Sequence, residues 1–539
     1  MRMPLGRAAI SDGIVTGTDM FLVNRHGTPF FIYMRSAPFY APPGDFAVKP
    51  WQLQTVVKAT TDNVSMNQPT KYDLNPDRLL PPDPTERAIA RDLYDSVKDL
   101  PIISPHGHVP VEWFHDKDYH FSDPTSLFIT PDHYVTRVMH SQGVALKDLG
   151  VNQKNFTPEQ ARNAFLIWGR NWGAYAGTPM RYWFEDSLQN VFDIHTKFGE
   201  DTAGRIYDEL NDLLKQPEFS TRELVKKFNI GFISTTDDTL DDLHLHDETN
   251  ADPDFPARLA PAFRPDVYLE PSTPGWAELV GKLGDVAGVD TSTYEGFTAA
   301  IKSRRLYFKQ HGAVLSDHSH ADVRTDRLSD SEVTKLYAQA LAGTISTEDA
   351  TRLRRHFFSD QVRMAQEDGL VMTVHPHVHR SYDPSTLAEY GKDTGGDIPA
   401  KAEFAVDLKP LLNEYGNNPD FHFVVFTMDE TVYARELAPL AGFYPSLYIG
   451  APWWFIDAPE PILRYYEEVT PNAGFTKLSG FIDDTRALCS IPARHDTNRR
   501  LTARYVAGLV ADHRLSLEEG RQIVIDSVVA QPKKVFKLD

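Results

Sequence analysis

Short apolar runs recur along this chain, and each breaks off in polar or small residues before a helical pattern begins. They fall at 102–105, 230–235, 259–263, 314–316, 370–374, 421–427, 447–451 and 475–481. Between them apolar residues return at three- and four-residue spacing, as in 436–441, 459–469 and 496–513. Eight buried strands alternating with helices predict an α/β fold, a (β/α)8 TIM-type barrel. A doubly wound sheet would carry a glycine-rich phosphate loop after its first strand, and this sequence has none.

Two stretches depart from the rhythm. Residues of about 110–228 read as a helical, aromatic-rich insertion after the first strand, with Asp132 to Arg137 at one helix start. Residues 1–65 show neither periodicity, and Pro38, Pro42 and Pro43 interrupt any element there. They read as an N-terminal extension without regular structure, with Met66 as an alternative start and 66–539 as the barrel unit. A helix over 87–100 follows, capped by Asp83 or Thr85.

Composition narrows the partners. The chain of 539 residues has 55 Lys and Arg against 75 Asp and Glu, a net charge of −20. Such a field repels phosphate backbones and acidic membrane surfaces, so nucleic acid and membrane are excluded as expected partners. An anionic substrate must then be gripped by local arginines. The single cysteine, Cys489, allows no internal disulfide and suits a reducing compartment. No apolar run reaches the roughly 18 residues of a membrane span, and the first residues lack a secretory apolar core. A cytoplasmic protein is expected, with self-association into a homo-oligomer left open.

Barrel chemistry sits at the C-terminal ends of the strands. Those ends carry, in order, His106 and His108; Thr236 to Asp238; Arg264 and Asp266; Asp317, His318 and His320; His375 and His377; Asp429 and Glu430; Trp453 and Trp454; and Asp483, Asp484 and Arg486. Residues i and i+2 of a strand share a face, so His106 and His108 leave the first strand side by side. Closure of the barrel brings the first and eighth strands together, so an aspartate after the eighth can join them. Two histidines and one aspartate with open positions suit zinc or a similar divalent ion. His244 and His246 repeat the spacing inside an acidic helical stretch, where i and i+2 diverge, and read as solvated.

The HxH pair with a last-strand aspartate resembles the amidohydrolase superfamily. Its two-metal hydrolases also need a lysine after the fourth strand and a histidine after the sixth. Here the sixth ends in Thr427, Met428 and Asp429, so at most one metal is expected. Seven ordered segments are more specific: DHYVTR from Asp132, STTDD from Ser234, FRPD from Phe263, SDH from Ser316, PWWF from Pro452, DDTRA from Asp483 and ARHD from Ala493. From about residue 85 onward the chain resembles the uronate isomerases, an isomerase branch of that superfamily.

The resemblance implies interconversion of aldohexuronates and ketohexuronates, with one divalent metal, zinc first, on His106, His108 and Asp484. It places His133, Tyr134, Arg264, His375, Arg380 and Arg486 on substrate-contacting motifs. Where that family has Asp before the HxH this chain has Ser104 and Pro105, and its fifth-strand motif carries extra histidines at His377 and His379.

Arg264 and Arg486 are then candidates to fork the substrate carboxylate, against salt bridges to Asp266 and Asp483. Asp317 and His318 could orient sugar hydroxyls, or form a helix cap with a solvated histidine. Trp453 and Trp454 would cap the barrel mouth, with a sugar stacked on one of them as the other reading. For the reaction, Asp484 would be the base at C2, Tyr134 would carry the hydroxyl proton, and His375 or the metal would polarise the oxygen. A mononuclear hydrolase of an anionic substrate and a silent acidic-sugar-binding barrel are the alternatives.

Overall fold

The computed structural model describes residues 71–538, together with a short antiparallel pair in which Leu22–Val23 faces Pro29–Phe30. Beyond that pair, the expected structureless extension lies outside the described residues. Residues 69–539 form one compact unit.

Seven of the eight expected strands are present as parallel staves: Ile102–Ser104, Ile230–Ser234, Arg258–Ala260, Leu315–His318, Val371–Val374, Phe423–Val425 and Leu447–Ile449. The second and third run on as Asp237–Asp238 and Phe263–Arg264, and this step carries the pairing from the first three staves to the rest. The fourth and fifth staves are buried at every position, as a sheet covered on both faces requires. Alternate residues serve different cores. Val371 and Val424 join the cluster that includes Ile102 and Phe232, while Met372, Phe423 and Val425 pack outward with Phe358, Val362 and Leu411.

The eighth strand is reduced. Phe475–Lys477 is a 3-10 turn, and only Leu478 bridges to Ile449, with Ser479 N donating to Ile449 O at 2.9 Å. Gly480 explains the break: its φ is 79°, and a Cβ there would stand 2.8 Å from Pro532. Side chains replace the ladder, with Gln531 Nε2 donating to Leu478 O at 2.7 Å. The ring still closes, because His108 N donates to Thr485 O at 3.0 Å.

The insertion is helical as expected, from Glu112–His115 to Thr221–Lys227, around an aromatic core in which Trp168 meets Phe184 at 4.2 Å. The helix expected at 87–100 runs instead from Pro84 to Asp95. Asp83 takes the first free N–H groups, Thr85 N at 2.8 Å and Glu86 N at 3.1 Å, and the turn at Ser96 ends it early. The last long helix, Ser490–Ala511, likewise starts earlier than its apolar pattern, and the stretch at 436–441 opens with a π turn, Tyr433–Leu437.

Candidate active site

The first stave delivers His106 and His108 to the barrel mouth, and the loop after the eighth brings Asp484 to them. Asp484 Oδ1 lies 3.4 Å from His106 Nε2 and 3.0 Å from His108 Nε2. Neither contact is aligned as a hydrogen bond, so this oxygen is buried without a donor among the described residues. Three ligand atoms converging without hydrogen-bond alignment fit a divalent cation. Asp484 holds a left-handed φ of 44°, a strain that costs on the order of 1–3 kcal/mol and turns its carboxylate inward. Its neighbour Asp483 faces elsewhere, accepting from Ser104 Oγ at 2.6 Å and standing 3.0 Å from His495 Nε2. The geometry thus separates two aspartates that their position alone left equivalent.

The electrostatics favour the ligating form at His108 and Asp484 and the protonated form at His106. Burial pushes the His108 imidazole down to about 4, which keeps it neutral and able to ligate. Burial opposes charge on His106 too, but Asp317 and Asp484 outweigh it and raise its pKa. Burial works to raise Asp484, and the two imidazoles beside it hold its carboxyl well below the usual range. Two further groups of ligand atoms lie within 4.8 Å of one another: His106 with Asp317 and His375, and Asp266 with His318 and His320.

Asp317 is fully buried. Oδ1 accepts from Thr373 Oγ1 at 2.7 Å and lies 2.8 Å from His375 Nδ1, while Oδ2 is 3.2 Å from Arg264 Nη1. It anchors other site residues through Oδ1 and the Arg264 ion pair, while Oδ2 has no hydrogen-bond partner among the described residues. His375 stacks between His106 and Phe426, at 5.0 and 4.3 Å between ring centroids. Its Nε2 is buried without a partner among the described residues. Arg264 also meets Asp266, Nε to Oδ2 at 3.0 Å, so the salt bridge weighed against a carboxylate-binding role is formed.

Tyr134, near the start of the helix His133–Ser141, points its hydroxyl at Asp457, 2.8 and 2.7 Å from the two carboxylate oxygens. Burial, then the Asp457 charge, lifts its pKa well above the ordinary phenol value, so the proton stays on oxygen. Arg494 completes the group, with Nη1 2.9 Å from Asp457 and the guanidinium 4.6 Å over the Tyr134 ring. His133 sits 3.9 Å from the Trp454 ring, and Trp453 meets His375 at 4.7 Å. Both tryptophans are buried, and Trp454 and Phe455 share the left-handed strain of Asp484, with φ of 43° and 70°.

The two outer arginines are held by one loop. Arg486 Nη2 pairs with Asp393 at 3.0 Å rather than with Asp483, and Arg380 Nη1 pairs with Asp397 at 2.7 Å. Gly395 lets this loop approach, since a Cβ there would stand 2.6 Å from Arg137 Cβ and 2.9 Å from His133 O. Two expectations are overturned. His246 is buried, 2.8 Å from Thr235 Oγ1, where a solvated residue was expected; His244 is exposed as expected. His318 is fully buried, which removes the reading of a solvated histidine beside a helix cap. Asp457, Arg494, Asp393 and Asp397 were not singled out. Of these Asp457 had a signal, two residues beyond the PWWF segment, and Arg494 lies within ARHD.

Comparison with known proteins gives the same picture. A family model for glucuronate isomerase matches residues 85–536. The chain is 52% identical to the uronate isomerase of Cutibacterium acnes over 88% of its own length and all of that protein, and 47% identical to that of Corynebacterium efficiens over 87% and all of it. Among solved structures, glucuronate isomerase from Caulobacter crescentus superposes with a TM-score of 0.84 at 37% identity, covering 87% of this chain and 97% of that one. With the barrel, its insertion and the ordered strand-end segments all accounted for over that length, this chain belongs to the uronate isomerase family.

Proposed function

We propose that this protein interconverts aldohexuronates and ketohexuronates, D-glucuronate with D-fructuronate and D-galacturonate with D-tagaturonate. A proton leaves C2 and one arrives at C1, while the oxygens on these carbons exchange oxidation level. The observation that carries the reading is Asp484, a strained carboxylate facing His106 and His108 and lying beside the Asp317–His375 pair.

His106, His108 and Asp484 would hold one divalent ion, and two imidazoles with a carboxylate suit zinc. When bound, it supplies an electrophile that lowers the cost of negative charge on the sugar oxygens. The chain's own groups do the rest. Asp484, kept ionised, takes the C2 proton and returns it at C1. His375, oriented by Asp317, presents Nε2 to a sugar oxygen. Tyr134 stays protonated and works with Asp457 as a proton-holding pair near those oxygens, not as a phenolate base. Arg486, whose partner Asp393 is partly exposed, is the arginine best placed to exchange that partner for the substrate carboxylate. Arg264, held by Asp266 and Asp317, supplies fixed positive charge behind the site. Arg380, His133 and Trp453 line the mouth around the sugar.

A small sugar-acid substrate, one buried cysteine, and no helix among the described residues long and apolar enough to cross a membrane support placing the enzyme in the cytoplasm. Purified protein incubated with each uronate should form the matching ketouronate. Release of a hydrolysis product from an anionic ester or amide, with no ketouronate, would show that the reading is wrong.

A further inference from the structure

Beside Arg264, a second cluster has the features of a ligand set. His318, at the end of the fourth stave, and His320, two residues on, are both buried, and Asp266 stands before them. Asp266 Oδ1 lies 3.5 Å from His320 Nε2 and 4.0 Å from His318 Nδ1. Neither of these ring nitrogens has a hydrogen-bond partner among the described residues. A buried ring nitrogen left unpaired is costly, so two facing one carboxylate call for an explanation.

The other ring nitrogens supply it. His320 Nδ1 is 3.0 Å from Glu270 Oε1, an acceptor that requires the proton on Nδ1 and leaves the Nε2 lone pair facing Asp266. His318 Nε2 is 3.2 Å from Ser316 Oγ, and a proton there leaves the Nδ1 lone pair on the same side. A carboxylate behind a histidine, fixing its tautomer and sharpening its lone pair, is the usual second layer of a metal site. Around a tetrahedral zinc-sized ion, ligand atoms stand about 3.3 Å apart, so the 3.5 and 4.0 Å separations here would contract on binding.

We propose that Asp266, His318 and His320 form a second, structural cation site for a zinc-class divalent ion, distinct from the one at His106, His108 and Asp484. Arg264 Nε and Ser319 N already touch Asp266, leaving it one lone-pair direction for the ion. The fourth ligand is water. The ion would tie the start of the helix Asp266–Leu269 to the fourth stave, and so fix the carboxylate on which Arg264 rests.

The full chain carrying His106→Ala and His108→Ala removes the first site without touching the second. Stripped of metal and titrated with cobalt(II), that protein should bind one equivalent, with the intense visible bands of a four-coordinate ion and a higher melting temperature. Adding His320→Gln should abolish the bands and the shift. No stoichiometric cobalt in the double variant, or bands that survive His320→Gln, would overturn the proposal. Should His320→Gln fail to fold, anomalous diffraction at the cobalt edge on crystals of the double variant decides it. A peak between Asp266, His318 and His320 supports the site, and a map without one refutes it.

Discussion

Oδ1 of Asp317 lies 2.8 Å from Nδ1 of His375, and the same carboxylate reaches Arg264 through Oδ2 at 3.2 Å. One buried group therefore sets both the tautomer of a site histidine and the place of a site arginine. Burial works to raise the Asp317 pKa, and His375, His106 and Arg264 together hold it well below the usual carboxylate range.

Asp317→Asn keeps the shape but removes the charge that orders these partners. A charge-assisted contact is worth roughly 1.5–3 kcal/mol, so kcat/KM on a uronate should fall by about ten- to a hundredfold or more. The melting temperature should fall as well, because the half-buried Arg264 is left with only Asp266. Unchanged kcat/KM with a lowered melting temperature would make Asp317 purely structural.

Arg486 and Asp393 are both partly exposed, so their pair is worth at most about 1 kcal/mol. Asp393→Asn should therefore lower KM for a uronate by no more than a few-fold, by freeing Arg486. Arg486→Met should cost about ten- to a hundredfold in kcat/KM on the uronate and far less on the parent hexose, which has no carboxylate. Equal losses on both sugars would place the carboxylate elsewhere. Arg264→Lys keeps charge but loses the fork, and should lose activity on both sugars alike.

Metal binding at the first site should depend on pH through His106. Its pKa is raised, so a proton competes with the ion as pH falls below that value, and affinity should drop by up to about tenfold per pH unit. Competition with a chromogenic chelator at about pH 6 and pH 8 measures this. His106→Ala should lower metal content by one equivalent relative to wild type and flatten the profile. Activity is expected to fall with occupancy.

Asp237 offers a stability test. Burial pushes its carboxyl up to about 7, against hydrogen bonds from Thr235 Oγ1 at 2.7 Å and Ala262 N at 3.2 Å. The folded state then binds more protons than the unfolded one between the ordinary carboxylate value and about pH 7, so this group's contribution to stability declines as pH rises through that window. Asp237→Asn should abolish the decline, on the order of 2–4 kcal/mol, and be relatively more stabilising at pH 8 than at pH 5. Denaturant melts of both proteins at the two pH values check it.

The uronate isomerase relatives match this chain over 86–88% of its length and are themselves covered almost completely. The chain begun at Met66 is therefore expected to keep its uronate isomerase activity. Loss of soluble, active protein from that start would assign the leading residues a part in folding.

The sequence by itself determined the alternation of strands and helices, the side-by-side histidines after the first strand, and the order of polar groups around the mouth. Each of these is local. Burial patterning and the two-residue period of a strand are properties of neighbouring residues, and parallel topology turns chain order into order around a ring. The tertiary structure turned Asp484, which the family resemblance names as a ligand, toward the histidines, and Asp483 toward Ser104 and His495. It also decided that Arg486 pairs with Asp393, 93 residues away in the chain (486 − 393), that Tyr134 meets Asp457, and that His246 and His318 are buried. Charge pairing in a folded interior is set by which groups lose water together, and no spacing rule within one segment contains that information.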